Sequence, residues 1–361
     1  MLKNRKIILF VLVIFTFNFL VGCGSKKEEP AIIEQEVELE KNKPTNIEIV
    51  DSKETNEKPE KVKKVGVPSP ISGMYAKEEN IHKRPFAVMF DNQSKARPQA
   101  GLDQAEIVYE ILAEGNITRY MAIFLTNEPN LIGPVRSARP YFLDKAMEFD
   151  ALYVHDGGSP QALKDIKNLK IGDISAQSRG KDIFWRKNHK VRPHNEYTNA
   201  AAIRKAAMQS HYRENVDFDT YIFNDEDQKN GGSSLTYVKM PYSKTYKPNF
   251  KYNEEDGLYY RYINKEPHLD EGSKNHLTAK NIIIQKAQTK VIDNEGRREI
   301  NLVGKGEGLF ITKGEICKVT WEKKSRRAIT RFFYEDGEEI KFNPGITWME
   351  VIPSNFELIT Q

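Results

Sequence analysis

Residues 106–125 read EIVYEILAEGNITRYMAIFL. Two runs rich in apolar, aromatic and β-branched residues, 106–112 and 118–125, flank the turn residues Ala113-Glu114-Gly115-Asn116. This pattern predicts a β-hairpin. A third apolar run at 84–92 precedes the hairpin and ends in Asp91 and Asn92, so it indicates another strand that leads into a polar loop.

Helices and one further strand are expected after the hairpin. Ser137 is expected to cap a helix with Pro140 in its first turn, and residues 151–155 predict a buried strand. Ser159 is expected to cap a second helix with Pro160 at its first position, and a third helix follows from Thr198. Strands mixed with helices predict an α/β or α+β fold for residues 66–235.

The hydrophobic period changes to two in residues 236–361. Short apolar runs flank Gly- or Asp-Gly-containing turns at 253–257 and 335–338, and helical periodicity is not evident between them. This pattern predicts a mostly-β domain, either a sandwich or a partly open barrel. Trp321 and Trp348 are expected to be core or rim residues, with a sugar-stacking platform as the alternative.

Composition excludes two classes of protein. The chain has 361 residues, of which 39% are hydrophobic and 10% aromatic, so it can bury a sizeable core and is neither wholly disordered nor a polytopic membrane protein. Its formal net charge of +4 is too small to predict a nucleic-acid partner.

The N-terminus has the pattern of an export signal. Basic residues at positions 3, 5 and 6 precede an apolar run at 7–15, and Leu20-Val21-Gly22-Cys23 resembles the lipobox of bacterial lipoproteins. Residues 1–22 are therefore predicted to be a signal peptide, with Cys23 carrying a diacylglycerol. A single transmembrane anchor is the alternative, but the apolar run is short for the roughly 20 residues that a span needs, and Asn18 interrupts it. Acyl chains on Cys23 would hold the protein on the outer face of the cytoplasmic membrane.

A linker is expected next. Residues 23–65 have no aromatic residue and are rich in Lys and Glu, which predicts a disordered, lipid-anchored tether. Its r.m.s. span would be about 35 Å. Cys317 is the only other cysteine, and its strand-like surroundings favour a buried structural thiol over a nucleophile.

Four polar clusters lie beside turns in residues 66–235, at 91–101, 133–140, 154–160 and 192–198. Arginine forks suit carboxylate or phosphate, and backbone can approach a ligand at glycines, so we expect these clusters to bind an anion. The expected ligand-binding residues are Asp91, Asn92, Arg97, Gln99, Arg119, Arg136, Arg139, Gly157, Gly158, Ser159, Arg192 and Asn195. The alternative is that Arg136 and Arg139 form internal salt bridges with Glu110 or Glu114.

Catalysis is a second possibility at the same clusters. His155 or His194 could act as general base, with Glu110 or Glu114 as the acid. Fixed metal-binding motifs such as His-Glu-x-x-His are missing, so neither a metal nor a cofactor is expected.

The motifs together resemble the YerB-like lipoproteins of Gram-positive bacteria. The matching blocks are Asp91-Asn92, 96–102, Tyr109-Glu110, Thr118-Arg119, 133–140, 155–159 and Pro193-His194-Asn195. The resemblance implies an exported lipoprotein with an N-terminal domain and a smaller C-terminal domain, both of unknown function. It implies no particular reaction.

These observations favour an extracytoplasmic, membrane-anchored lipoprotein that binds an anionic envelope ligand, such as a cell-wall fragment, or an envelope protein. One alternative is a wall-modifying hydrolase or transferase that uses His155 or His194. Another is a non-catalytic scaffold that regulates envelope enzymes through its β domain. An enzyme is the less expected outcome.

Overall fold

The computed structural model describes residues 64–361. The predicted signal peptide, Cys23 and nearly all of the predicted tether lie outside the described residues. The described residues, 64–361, all belong to one compact unit.

Strands outnumber helices in the described part of the chain. The α-helices are α1 (Glu78–Ile81), α2 (Pro140–Ala146), α3 (Pro160–Asn168) and α4 (Ala200–Gln209), and short 3-10 helices span Ser94–Ala96, Leu102–Gln104 and Met147–Phe149. The strands before residue 236 are β1 (Val67–Pro68), β2 (Tyr75–Ala76), β3 (Phe86–Phe90), β4 (Ile107–Leu112), β5 (Thr118–Phe124), β6 (Leu152–His155), β7 (Asp173–Ser175), β8 (Trp185–Arg186), β9 (Glu196–Tyr197) and β10 (Ser233–Ser234). The later strands are β11 (Tyr237–Lys239), β12 (Pro248–Asn253), β13 (Leu258–Ile263), β14 (Glu266–Pro267), β15 (Thr278–Ala279), β16 (Asn281–Ala287), β17 (Thr289–Val291), β18 (Arg298–Ile300), β19 (Gly304–Thr312), β20 (Glu315–Lys323), β21 (Arg331–Phe333), β22 (Thr347–Pro353) and β23 (Ile359–Thr360).

An 11-stranded large sheet runs through the whole unit in the order β10-β20-β19-β16-β22-β4-β5-β3-β6-β7, with β21 beside β20. The predicted hairpin is its β4–β5 pair. Strand β22 lies between β16 and β4 and is parallel to both. The late strands and the early strands therefore share one hydrogen-bonded sheet.

A six-stranded small sheet, in the order β14-β13-β12-β11-β23 with β15 beside β13, contributes to the core on one face of the large sheet. Even-numbered residues of β4, β5 and β22, such as Val108 and Trp348, share that core with the small sheet and α4. Odd-numbered residues, such as Tyr109, form a second core with α2. This separation follows from the alternation of side chains along a strand.

The predicted fold class is confirmed. Within residues 64–361 the α-helices all lie before residue 210, and the remainder is strands and loops. Both sheets are open, so the arrangement agrees with the sandwich and not with a barrel. No helix in this part of the chain combines the length and the apolar character needed to cross a membrane.

Two predicted helix starts differ from the structure. Helix α4 begins at Ala200, with Asn199 as its N-cap, and not at Thr198. Helix α2 has Arg139, not Ser137, at its N-cap position, because Pro140 occupies the first helical position. A proline also disfavours helical geometry in the residue before it, and Arg139 is accordingly extended. The prediction for α3 is confirmed, since Ser159 caps it through the backbone N–H of Ala162 and Pro160 is its first residue.

Candidate functional site

Three of the four predicted polar clusters meet at the end of β3. Asp91 follows this strand directly, and its backbone N–H donates to Pro134 O at 2.9 Å. The Arg136 N–H donates to Met89 O, also at 2.9 Å. The peptide bonds Arg97–Pro98, Gly133–Pro134 and Arg192–Pro193, one in each of these three clusters, are cis.

The Asp91 cluster consists of Asp91, Arg136 and His194. Asp91 Oδ2 lies 2.7 Å from His194 Nδ1 and 3.3 Å from Arg136 Nε. Asp91 and His194 are buried, whereas the Arg136 side chain is 21% exposed. His194 Nε2 has no protein hydrogen-bond partner among residues 64–361. A carboxylate that holds one imidazole nitrogen orients the other nitrogen for binding or proton transfer.

Amide side chains connect this cluster to the interior. Gln99 Nε2 donates to Asn92 Oδ1 at 3.2 Å, and Gln99 Oε1 lies 3.0 Å from His268 Nε2. Asn92 Nδ2 donates to Thr118 Oγ1 and to Tyr246 OH, at 2.7 Å each. Both amides are therefore occupied by protein partners.

The interior end of this network is a buried ion cluster between the two sheets. Arg261 of β13 pairs with Glu110 of β4 and, at 3.2 Å, with Glu350 of β22. All three side chains are fully buried. The Arg261 guanidinium also lies 4.1 Å from the ring centre of Trp348 and 4.9 Å from that of Phe250.

Charge balance in the buried cluster depends on Glu350. Burial first, and the neighbouring Glu110 second, raise the pKa of Glu350 well above its usual range. Burial and then Arg261 lower the pKa of His268 well below its usual range. One guanidinium thus faces one carboxylate, one carboxylic acid and a neutral imidazole, an arrangement without net charge.

Arg97 lies above the buried cluster, with its guanidinium 5.0 Å from the ring centre of Tyr246. Its Nε is buried and has no hydrogen-bond partner among the described residues. Arg192 is exposed and, within residues 64–361, lies in no ion pair. Lys190 brings their loops together, because its Nζ donates to Ala96 O at 3.0 Å and to Pro98 O at 2.6 Å.

Other predicted binding residues have internal roles. Asn195 donates to the backbone O atoms of Lys187 and Lys190 at 3.0 Å each, so it shapes the loop that carries Arg192. A Cβ at Gly157 would lie 2.4 Å from Gln177 Nε2, and one at Gly158 would lie 3.0 Å from the Ala138 Cβ. Side chains of this same chain, including Gln177 and Ala138, occupy the space beside these glycines.

Arg119 and Arg139 lie apart from the Asp91 cluster, on the helix side of the large sheet. Both bind Glu114, with Arg119 Nη2 2.9 Å from Oε2 and Arg139 Nε 2.5 Å from Oε1. The expected alternative of an internal salt bridge thus holds for Arg139 with Glu114, whereas Arg136 pairs with Asp91. Ser159 is the helix cap described above.

Neither histidine contacts the glutamates that were considered as its acid partner. The ring nitrogens of His155 lie 2.7 Å from Gly157 O and 3.1 Å from Asp173 Oδ2, so both are occupied. Glu110 and Glu114 pair with arginines. His194 with Asp91 is therefore the one arrangement among these candidates in which a ring nitrogen stays free.

Cys317 is half-buried in β20, and its Sγ lies 3.7 Å from Phe310 O. Burial raises the pKa of this thiol to about 11, which disfavours the reactive thiolate. Trp321 and Trp348 are buried core residues, as expected.

Sequence reasoning missed Arg261, Glu350, His268 and Tyr246, which all lie beyond residue 236. A signal for Arg261 was present. Side chains alternate along β13, so Arg261 lies on the same face as Tyr259 and Ile263, and this face is turned toward the core.

The chain matches two domain families along its described part. Residues 71–213 match "Protein of unknown function (DUF3048) N-terminal domain", and residues 238–349 match the corresponding C-terminal domain. The chain is 34% identical over 288 residues to "Putative lipoprotein YerB" of Bacillus subtilis (strain 168), a match that covers 79% of this chain and 86% of that protein. It is also similar to the crystal structure of the YerB protein from Bacillus subtilis, with a TM-score of 0.74 and 31% identity over 81% of this chain and 99% of that one.

Proposed function

This chain belongs to the DUF3048 family of YerB-like proteins, and we propose on that basis that it is an extracytoplasmic lipoprotein. Residues 1–22 act as the signal peptide, and Cys23 carries the acyl chains that hold the protein at the outer face of the cytoplasmic membrane. Residues 23–65 are the tether between the membrane and the folded part. The name of the related lipoprotein supports this proposal, and so does the lipobox at 20–23.

The folded part binds an anionic envelope group, a carboxylate or a phosphate, at Arg97 and Arg192. The observation that carries this function is the buried Nε of Arg97, which lacks an acceptor in residues 64–361. A buried N–H without a partner is costly, and a bound anion would supply the missing acceptor. Arg136, by contrast, is already paired with Asp91.

We expect Arg97→Gln and Arg192→Gln each to weaken anion binding at least tenfold, because a hydrogen bond to a charged group contributes about 1.5–3 kcal/mol. The measurement is isothermal titration of residues 62–361 with muropeptides, teichoic-acid fragments and inorganic phosphate. Arg213→Gln is the matched control, since Arg213 is an exposed arginine paired with Asp150. Equal affinity in all four proteins, or no binding by the unsubstituted chain, would contradict the function.

Hydrolysis is the second candidate function, and the free Nε2 of His194 is the observation that favours it. In that function His194 takes a proton from a water molecule while Asp91 holds the imidazole, and the water oxygen forms a bond to the reacting atom of the substrate. His194 then gives the proton to the leaving group as its bond to that atom breaks. Mass spectrometry of the titrated muropeptides separates the two functions. Cleavage that is lost in His194→Gln supports hydrolysis, and intact muropeptides support binding alone.

A further inference from the structure

A cavity whose lining does not include Arg97 lies between the first turns of α2 and α3 and the β17–β18 hairpin. This interdomain cleft has a volume of about 450 Å³ and is lined by residues 139–165 on one side and 292–326 on the other. Its size falls in the range of small-ligand sites. Tyr141, Ile292 and Ile300 provide apolar walls.

One end of the interdomain cleft has an excess of positive charge. Arg119 and Arg139 share the single carboxylate of Glu114. Within residues 64–361, Arg298 donates only to backbone oxygens, those of Ala113 at 3.0 Å and of Gly115. Burial, followed by the neighbouring Arg139, lowers the pKa of Arg119 to about 10, as expected where cations outnumber carboxylates. Arg139 and Arg298 therefore line this end of the cleft, and the carboxylate of Glu114 behind them is shared between Arg119 and Arg139.

The other end is lined by two carboxylates and one guanidinium, those of Asp144, Asp165 and Arg326. Arg326 pairs with both Asp144 and Asp165, with Nε 2.6 Å from Asp144 Oδ1 and Nη2 2.9 Å from Asp165 Oδ2. The buried Lys145 and Lys323 also act on Asp144 from behind the cleft wall. Burial raises the pKa of Asp144 to about 6 although Arg326 acts against this shift. Two carboxylates therefore share one guanidinium.

The remaining charged residues of the lining are paired within their own hairpin. Arg297 binds Asp293 at 3.2 Å and also binds Glu295, and Glu299 pairs with Lys290. The cleft is consequently bipolar. Its two ends are separated along α2, because Arg139 lies at the N-cap and Asp144 in the following turn. Five residues of α-helix rise about 7.5 Å.

We propose that the interdomain cleft binds a short zwitterionic peptide, with its carboxylate at Arg139 and Arg298 and its ammonium group at Asp144 and Asp165. A single amino acid is too short to join the two ends, whereas two extended residues span about 7 Å. Opposite charges at both ends also reject peptides whose termini are blocked. This inference is independent of the anion site at Arg97.

The test is isothermal titration of residues 62–361 with alanylalanine and trialanine that have both termini free. We expect binding that falls at least tenfold when either the N-terminus is acetylated or the C-terminus is amidated, because each block removes a charged hydrogen-bonding group. No binding of the free peptides, or equal binding of the blocked ones, would overturn the proposal.

Substitutions locate the peptide. Arg298→Gln and Asp165→Asn should each weaken binding at least tenfold, whereas Arg213→Gln and Arg97→Gln should leave it unchanged. Arg97→Gln also separates this site from the anion site, because only the latter loses affinity in that variant. The blocked peptides test the proposal on the unsubstituted protein, so the result does not depend on the stability of the variants. Loss of peptide binding in Arg97→Gln would contradict a separate site.

Discussion

Lys145 belongs to a buried cluster that contains more cations than carboxylates. Its Nζ lies 3.1 Å from Glu148 Oε1, and the Lys323 Nζ lies 2.8 Å from the same oxygen. All three side chains are fully buried, and Thr330 Oγ1 donates to this oxygen as well. Burial is the main reason that the pKa of Lys145 is lowered, to about 8. The charged form of Lys145 is therefore disfavoured by folding.

Stability should rise with pH between about 8 and 9.5 because of Lys145. Its folded-state pKa of about 8 lies below the ordinary value of 10.5, so in this window the unfolded chain binds the proton that the folded chain has released. The expected gain is about 1.5 kcal/mol. Denaturant unfolding of residues 62–361 as a function of pH measures it.

The groups that face Lys145 are Glu148, Lys323 and Asp144. Lys145→Met should abolish the rise, and Lys324→Met, at an exposed neighbouring lysine, should retain it. A rise of the same size in Lys145→Met would assign the pH dependence to other groups.

Residue types in the first half of the chain indicated much of the candidate site. Asp91, Arg136 and His194 were all selected from sequence, and they do meet. The role of each residue could not be predicted from the sequence, because it depends on which carboxylate each cation contacts. Arg261 was missed since a charged residue in an alternating strand ordinarily faces solvent, and only its parity with Tyr259 indicated otherwise.

Helix starts in this chain follow from local chemistry. At α3 the sequence Ser159-Pro160 supplies both a cap and the favoured first residue, and the prediction is confirmed. At α2 the proline determines the start, and Ser137 lies too far upstream to cap it. A capping residue must lie directly before the first helical residue, so the position of the proline was the better signal.

Ser159→Ala should destabilise the folded unit by about 1 kcal/mol, because it removes the hydroxyl that accepts from the Ala162 N–H at 3.3 Å. Ser137→Ala should change stability by less than about 0.5 kcal/mol, since Ser137 caps no helix. Denaturant unfolding of the two variants gives the comparison. Equal losses would show that the hydroxyl of Ser159 does not act as a cap.

The strands were predictable because their alternation is local, but their pairing was not. Strand β22 lies beside β4, although about 240 residues separate them in the chain. Periodicity identifies which face of a strand is buried and contains no information about which strand is its neighbour. The sequence therefore indicated a mostly-β second domain, either a sandwich or a partly open barrel, without indicating that one sheet crosses both matched domains.

At the scale of the molecule, the family resemblance inferred from the sequence blocks is confirmed by the relative and by the two domain matches. The two matched domains are joined in two ways. The large sheet runs through both, and Arg261 of the second matched domain holds Glu110 of the first. The buried cluster is thus part of the contact between them.

Arg261→Met should destabilise the whole unit by about 3–5 kcal/mol, because it leaves the buried carboxylate of Glu110 without a cation. Glu350→Gln is the matched control, and we expect a loss of less than about 1 kcal/mol because the raised pKa of Glu350 already keeps it uncharged. The midpoint of denaturant unfolding measures both. If Glu350→Gln lowered the free energy of unfolding as much as Arg261→Met does, Glu350 would have to be charged in the folded protein.

The position of β22 in the large sheet determines when the fold can be completed. A ribosome makes this strand after both β4 and β16, yet each of them needs it as a neighbour. Until it arrives, the nascent chain has two unpaired strand edges in the middle of its future sheet, and such edges are where chains aggregate. The centre of the large sheet can therefore close only after a segment about 240 residues downstream of β4 has been added.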